Sequence, residues 1–129
     1  MDSISLVETA KIDGERLLYS LDRAGFKVST AFWIRGEEDL QWRLMIVNPE
    51  IPPGGFRTAY GEVRNHLTSL SPPTAIELND VWLIRPTEPI VKLIATLRRG
   101  GKSEDFMVKN GVVNGIHIDE AFVYRLLAA

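Results

Sequence analysis

Two groups of acidic residues in this sequence have side chains that could perform chemistry. Glu77 and Asp80 precede a short apolar run, and His117 is followed closely by Asp119 and Glu120. Carboxylates near a histidine can bind a divalent ion or transfer a proton. Adjacent side chains on an extended chain point to opposite sides, so Asp119 and Glu120 are not expected to share one ion. A small metal-dependent hydrolase or nuclease with a carboxylate site is therefore one alternative, and solvated turns are the simpler interpretation.

The sequence contains no motif for a cofactor. It has no cysteine, which excludes thiol catalysis and thiolate metal sites. The pair Gly54-Gly55 belongs to neither a dinucleotide-binding nor a P-loop glycine pattern. We therefore predict no cofactor and no bound metal, and a non-enzymatic function is favoured.

The most distinctive cluster falls in segment 30–48, which reads as two strands joined by an acidic turn. A connection at 36–40 would place Trp33 directly opposite Arg43. Side-chain alternation would then send four aromatic or polar residues to one outer face. These predicted binding residues are Trp33, Arg35, Gln41 and Arg43.

The other face of the same two strands is predicted to be the core. Its members are Phe32, Ile34, Trp42, Leu44 and Ile46. Tryptophan and arginine are typical hot-spot residues of protein contacts, and an arginine over an indole can also receive a base or an anion. The simpler interpretation of the outer face is a cation–π pair that shields a half-buried tryptophan.

These residues lead to three hypotheses of different classes. The favoured one is a non-enzymatic interaction or self-association module, a homo-oligomer that uses this strand face or an open sheet edge. The alternatives are the metal-dependent hydrolase or nuclease, and a small-ligand or nucleic-acid binder on the same face. A formal net charge of −2 disfavours nucleic acid as the partner. No apolar run approaches the ~20 residues of a membrane span, and the first residues do not resemble a signal peptide, so we predict a cytoplasmic protein without a membrane partner.

The elements that must position these side chains form one predicted α+β domain. A chain of 129 residues is near the usual size for a single core. Apolar periodicity predicts helices at 6–24, at 56–70 and from Thr87 to Leu97. Strands are predicted within 30–48, at 81–84 and within 105–127. The order is α-β-β-α-β-α-β-β over residues 1–129, with a mostly antiparallel sheet of about five strands and the helices mainly on one face.

Local signals add four finer expectations. Gly14 either weakens the first helix or marks close packing against a neighbour. Gly25 should end that helix in the left-handed conformation. The run 81–84 is apolar throughout, which is typical of a central strand. Of two Asn-Gly pairs, 114–115 should form a tight hairpin turn and 110–111 a bulge or a second bend.

Overall fold

The computed structural model describes most of the chain. The described residues are 8–36, 41–97, 106–113 and 116–126. Within them, the side chains at 36, 96, 97, 106–113 and 116–119 lie outside the description. The acidic residues 37–40, predicted to form a turn, also fall outside the described residues, so the structure does not test that prediction.

The described part of the chain contains three α-helices and five strands in the predicted order. Their bounds are α1 Glu8–Arg23, β1 Thr30–Gly36, β2 Arg43–Val47, α2 Phe56–Ser69, β3 Val81–Ile84, α3 Pro89–Leu97, β4 Phe106–Val113 and β5 Ile116–Leu126. A short 3₁₀ turn, Leu78–Asp80, precedes β3. The prediction of an α+β fold is confirmed.

The strands form one mixed sheet in the order β3-β2-β1-β5-β4. β1 pairs antiparallel with β2 and β5, and β4 pairs antiparallel with β5. Only the β2–β3 pair of this sheet is parallel, and α2 supplies the crossover that a parallel pair requires. The sheet is therefore mostly antiparallel, as predicted, with β3 and β4 at its edges.

The two Asn-Gly predictions concern the hairpin of β4 and β5. Val113 pairs with Ile116, and the predicted tight turn at 114–115 lies outside the described residues. The ladder then continues past 110–111 with no register shift. The predicted bulge at 110–111 is wrong, because this pair lies inside a continuous strand.

The position of β3 also differs from the prediction. It is an edge strand, in which Val81 and Leu83 are buried while the indole of Trp82 is 46% exposed. A run of four apolar residues looks the same in a strand buried on both faces and in an edge strand with one aromatic residue left open. Alternation within so short a run carries too little information to separate the two.

The helices cover both faces of the sheet, whereas the sequence predicted mainly one. α1 and α2 pack on one face in a cluster that includes Leu17, Leu21, Trp33, Leu44, Ile46, Val63 and Tyr124. α3 packs on the opposite face in a cluster of Phe32, Met45, Leu93, Ile94, Ala121, Val123 and Leu126. The central strands are consequently apolar on both sides.

The end of α1 confirms the prediction for Gly25. This residue has φ +84°. The N–H of Phe26 donates to the carbonyl of Leu21 at 3.0 Å, and the N–H of Gly25 donates to the carbonyl of Asp22 at 3.1 Å. Phe26 is itself buried, which is the hydrophobic contact that accompanies this type of cap.

Gly14 marks the closest approach of α1 to the sheet. A Cβ atom at this position would lie 2.8 Å from Cζ of Tyr124 and 3.1 Å from Nε1 of Trp33. The indole N–H of Trp33 donates to the hydroxyl of Tyr124 at 2.9 Å, and that hydroxyl donates to the carbonyl of Lys11 at 2.6 Å. The close-packing interpretation of Gly14 is therefore confirmed.

A bulge in β5 brings two consecutive residues to α1. Phe32 lies opposite Val123 while the preceding residue of β1 lies opposite Arg125, so Tyr124 is an extra residue in the ladder. A bulge redirects side chains that would otherwise alternate. Tyr124 consequently reaches the first half of α1, and Arg125 donates to both carboxylate oxygens of Asp22 near its end, at 3.0 and 2.8 Å.

Tyr60 on α2 covers part of the open edge of β3. Its hydroxyl accepts the backbone N–H of Leu83 at 2.9 Å. An unpaired row of edge N–H and carbonyl groups is a template for pairing with another strand. The phenol therefore blocks one of the donors that such a strand would need.

Replacing Tyr60 with phenylalanine is expected to lower the free energy of unfolding by about 1 kcal/mol, because the Leu83 N–H loses its acceptor. Exposure of this edge should also increase aggregation. Urea unfolding and light scattering measure the two effects. The control is Tyr19→Phe, which removes a hydroxyl from an exposed side chain whose hydrogen bond to Arg23 lies at the surface and should contribute little. Equal unfolding free energies for Tyr60→Phe and the parent protein would contradict the proposed role of the hydroxyl.

Candidate functional site

The register of β1 and β2 is shifted by one residue from the prediction. Trp33 lies opposite Leu44, and Arg43 lies opposite Ile34. Because side chains alternate, a shift of one residue moves every side chain of β2 to the other face. Trp33 and Arg43 therefore lie on opposite faces of the sheet, and the prediction of one shared outer face is wrong.

Trp33 is a core residue. Its side chain is only 3% exposed, and it lies under α1 beside Gly14. Its polar N–H is satisfied by Tyr124, as a buried indole requires. Trp33 is thus covered by a helix and does not form part of an open surface.

Arg35 and Gln41, the other two predicted binding residues, lie near the turn. Arg35 pairs with Glu120 on β5 at 3.2 Å, with the two side chains 13% and 16% exposed. Its guanidinium carbon also lies 5.8 Å from the ring centroid of Trp42. Gln41 is exposed and precedes β2 by two residues. Arg35 therefore links β1 to β5, and its binding role stays a prediction, as does that of Gln41.

The acidic candidates have structural partners in the described part of the chain. Glu77 and Asp80 cap the 3₁₀ turn reciprocally, and the Asp80 carboxylate accepts the Glu77 N–H at 2.9 Å. Glu120 is held by Arg35. The described residues contain no group of three or more side chains suited to a metal ion. The side chain of His117 lies outside the described residues, as does that of its neighbour Asp119.

The structure also shows a contact that sequence reasoning missed. Ser20 Oγ on α1 lies 2.6 Å from Nδ1 of His66 on α2. A serine beside a histidine can form a nucleophile–base pair when a third group orients the imidazole. No described carboxylate bonds to His66, so we interpret the pair as a contact between the two helices. The two residues are 46 positions apart in the sequence, so no local pattern could have predicted their contact.

Arg43 does stack on a tryptophan, but the tryptophan is Trp82 on β3. The guanidinium carbon lies 5.3 Å from the indole centroid, and Nη1 donates to the carbonyl of Asn79 at 3.2 Å. Trp82 lies opposite Met45 in the parallel ladder, on the same face as α3. The exposed indole and this guanidinium, the Trp82–Arg43 surface, therefore take the place of the predicted Trp33 cluster.

The outer side of α1 is the second exposed feature. Ile12 and Tyr19 are 54% and 61% exposed. Arg23 stacks 5.6 Å from the Tyr19 ring centroid and donates to its hydroxyl at 3.0 Å. This hydrogen bond raises the pKa of Arg23. A cleft of about 680 Å³ runs beside these residues towards Leu70.

No family model, curated protein or solved structure matches the chain. In the described residues, no helix combines the length and the apolar character needed to cross a bilayer.

Proposed function

We propose that the protein is a non-enzymatic interaction module that binds an acidic, partly apolar segment of a partner protein at the Trp82–Arg43 surface. The observation that carries the proposal is the 46% exposure of an indole on an edge strand, under the guanidinium of a neighbouring strand. Tryptophan and arginine are enriched among the residues that dominate the energy of protein contacts. A cytoplasmic location belongs to the same proposal, supported by the absence of cysteine.

The exposed part of Trp82 is large enough to matter energetically. A tryptophan can bury about 150–250 Å², so covering the open half removes roughly 100 Å² from water. At about 25 cal/mol per Å², this burial is worth about 2–3 kcal/mol. A single aromatic side chain of the partner, packed against the indole, would realise most of this energy.

Charge determines the kind of partner that we propose. Arg43 places a positive charge beside the indole, which suits a carboxylate of the partner. Glu77 and Asp80 lie just before β3 and would repel a phosphate backbone. With a net charge of −2 for the whole chain, these acids support a protein partner over nucleic acid.

A peptide-display selection against the parent protein tests this proposal. Selected peptides are expected to be rich in Asp, Glu and aromatic residues, and to bind Trp82→Ser at least about tenfold more weakly, as loss of a hot-spot residue requires. Arg43→Gln should weaken binding as well. The matched control is Arg57→Gln, which removes the same charge from an exposed position on α2. Isothermal titration calorimetry measures the affinities.

Two outcomes would contradict the proposal. One is selected peptides that bind Trp82→Ser as tightly as the parent protein, provided that both unfold at similar urea concentrations. The other is tighter binding of a single-stranded oligonucleotide than of any selected peptide, with an affinity that falls steeply as salt rises. The second outcome would favour the nucleic-acid alternative on the same surface.

A further inference from the structure

The outer surface of α1 carries a stripe of alternating charged and apolar residues. Its members are Glu8, Ile12, Glu15, Arg16, Tyr19 and Arg23, hereafter the α1 stripe. At 100° per residue they fall within an arc of about 100°, opposite the buried positions Leu17 and Leu21. Two of the exposed large apolar side chains in the described part of the chain, Ile12 and Tyr19, belong to this stripe.

The stripe is self-complementary about its centre. We propose that two copies of this chain associate through α1 in an antiparallel pair, with the two-fold axis between Glu15 and Arg16. Glu8 would then lie against Arg23 of the partner subunit, and Ile12 against Tyr19 of the partner subunit. A two-fold axis brings each residue against a fixed counterpart, and here every counterpart is of complementary type.

The distribution of charge selects the antiparallel orientation. The first half of the stripe carries Glu8 and the second half carries Arg23, with Glu15 and Arg16 at the centre. A parallel pair would bring each charge against its own copy, which costs energy. In the antiparallel pair, the positive end of each helix dipole also lies beside the negative end of the other, which is favourable.

The surface beside α1 leaves room for a second helix. The cleft of about 680 Å³ lies on one side of α1, towards Leu70 and Ser71. A hollow of about 260 Å³ lies on its other side, between the helix and Phe122. α1 therefore stands between two depressions in the surface. The α1 helix of a second copy can pack against it at the usual 8–10 Å between helix axes.

Contacts within the monomer are compatible with this pairing. Arg16 is held by the Asp13 carboxylate at 3.2 Å and by the Pro72 carbonyl, which fixes its direction. A guanidinium has five N–H donors, so Arg16 can also serve a carboxylate of the partner. The Glu8–Lys11 pair has an exposed carboxylate, and such pairs rearrange at little cost.

The expected dimer is weak. A helix of 16 residues is about 24 Å long. One helix pair covers less than the roughly 800 Å² per partner of a standard interface, so association should depend on concentration. The Trp82–Arg43 surface lies on the other face of the sheet from α1, so Trp82→Ser should leave the dimer unchanged.

Charge exchange across the proposed axis provides the test. Analytical ultracentrifugation of the parent protein over a wide concentration range should show a monomer that becomes a dimer. Glu8→Arg and Arg23→Glu each place like charges at both symmetric contacts, and each should weaken self-association about tenfold or more. An equimolar mixture of the two variants restores both contacts and should dimerise as the parent does. The double variant in one chain should do the same.

The matched control is Arg64→Glu, which makes the same charge change at an exposed position on α2 and should leave association unchanged. Circular dichroism checks that every variant keeps the parent melting temperature. A parent protein that stays monomeric at all concentrations overturns the proposal. So does a dimer that Glu8→Arg and Arg23→Glu leave intact, or a mixture of the two variants that fails to recover association.

Discussion

Replacing Gly14 with alanine is expected to lower the free energy of unfolding by about 2–3 kcal/mol, although alanine is the better helix former. The new Cβ would lie 2.8 Å from Cζ of Tyr124 and 3.1 Å from Nε1 of Trp33. Both rings are buried and joined by a hydrogen bond, so neither can move away cheaply. α1 would have to shift outward and lose its contact with the sheet. Urea unfolding followed by circular dichroism measures the change.

Gly61 on α2 is the control for this prediction. It is also inside a helix, but an added Cβ would have no neighbour within 4 Å. Gly61→Ala should therefore raise the free energy of unfolding by about 0.5–1 kcal/mol, because alanine favours the helix more than glycine does and meets no neighbour here. The same substitution should thus have opposite signs at the two positions. Equal signs would show that the approach of α1 to Tyr124 is looser than described.

Replacing Trp33 with alanine should have the largest effect, a loss of about 3–5 kcal/mol in the free energy of unfolding. The indole fills the space between α1 and the sheet, and its removal would also delete the hydrogen bond that it donates to the Tyr124 hydroxyl. Loss of this magnitude approaches the whole stability of many small domains. Trp33→Phe should cost less, because it keeps most of the apolar volume.

Trp82→Ala provides the contrasting measurement for the tryptophan prediction. Its indole is 46% exposed, so less apolar area is lost than at Trp33 and we expect a smaller loss, about 1–2 kcal/mol. Similar losses at the two tryptophans would contradict the strand register and the assignment of Trp33 to the core. The same unfolding measurement shows whether a Trp82 variant remains folded, which the binding experiments require.

The two proposed surfaces lie on opposite faces of the sheet. α1 covers the face that contains Trp33, and Trp82 lies on the face of α3. A dimer formed through α1 would therefore leave both Trp82–Arg43 surfaces open. Two such surfaces would bind a partner with repeated segments more tightly than one, because the second contact becomes intramolecular.

Local signals predicted the elements well. The stripe of apolar residues predicted α2 at 56–70, against the observed Phe56–Ser69, and Gly25 ends α1 as expected. Gly14 carried a signal as well, since a glycine inside an amphipathic helix often marks close packing. These features depend on residues near one another in the chain, so sequence alone suffices.

The candidate site could not be predicted in the same way. The predicted β1–β2 register was wrong by one residue. Both faces of these strands are buried, so the pattern of apolar residues does not show which face each side chain occupies. In such a strand, the length of the turn decides the face on which each side chain lies. The register therefore placed Trp33 in the core and Arg43 beside Trp82.

The amino-acid sequence by itself determined the α+β class, the order of the elements and the ends of most helices, because helix periodicity, caps and turns act over a few residues. Tertiary structure decided which strand lies at the edge, which tryptophan stays exposed and which charges meet. Those outcomes depend on pairing between distant segments, such as β2 with β3 and α1 with the bulge in β5. No local pattern in the chain encodes them.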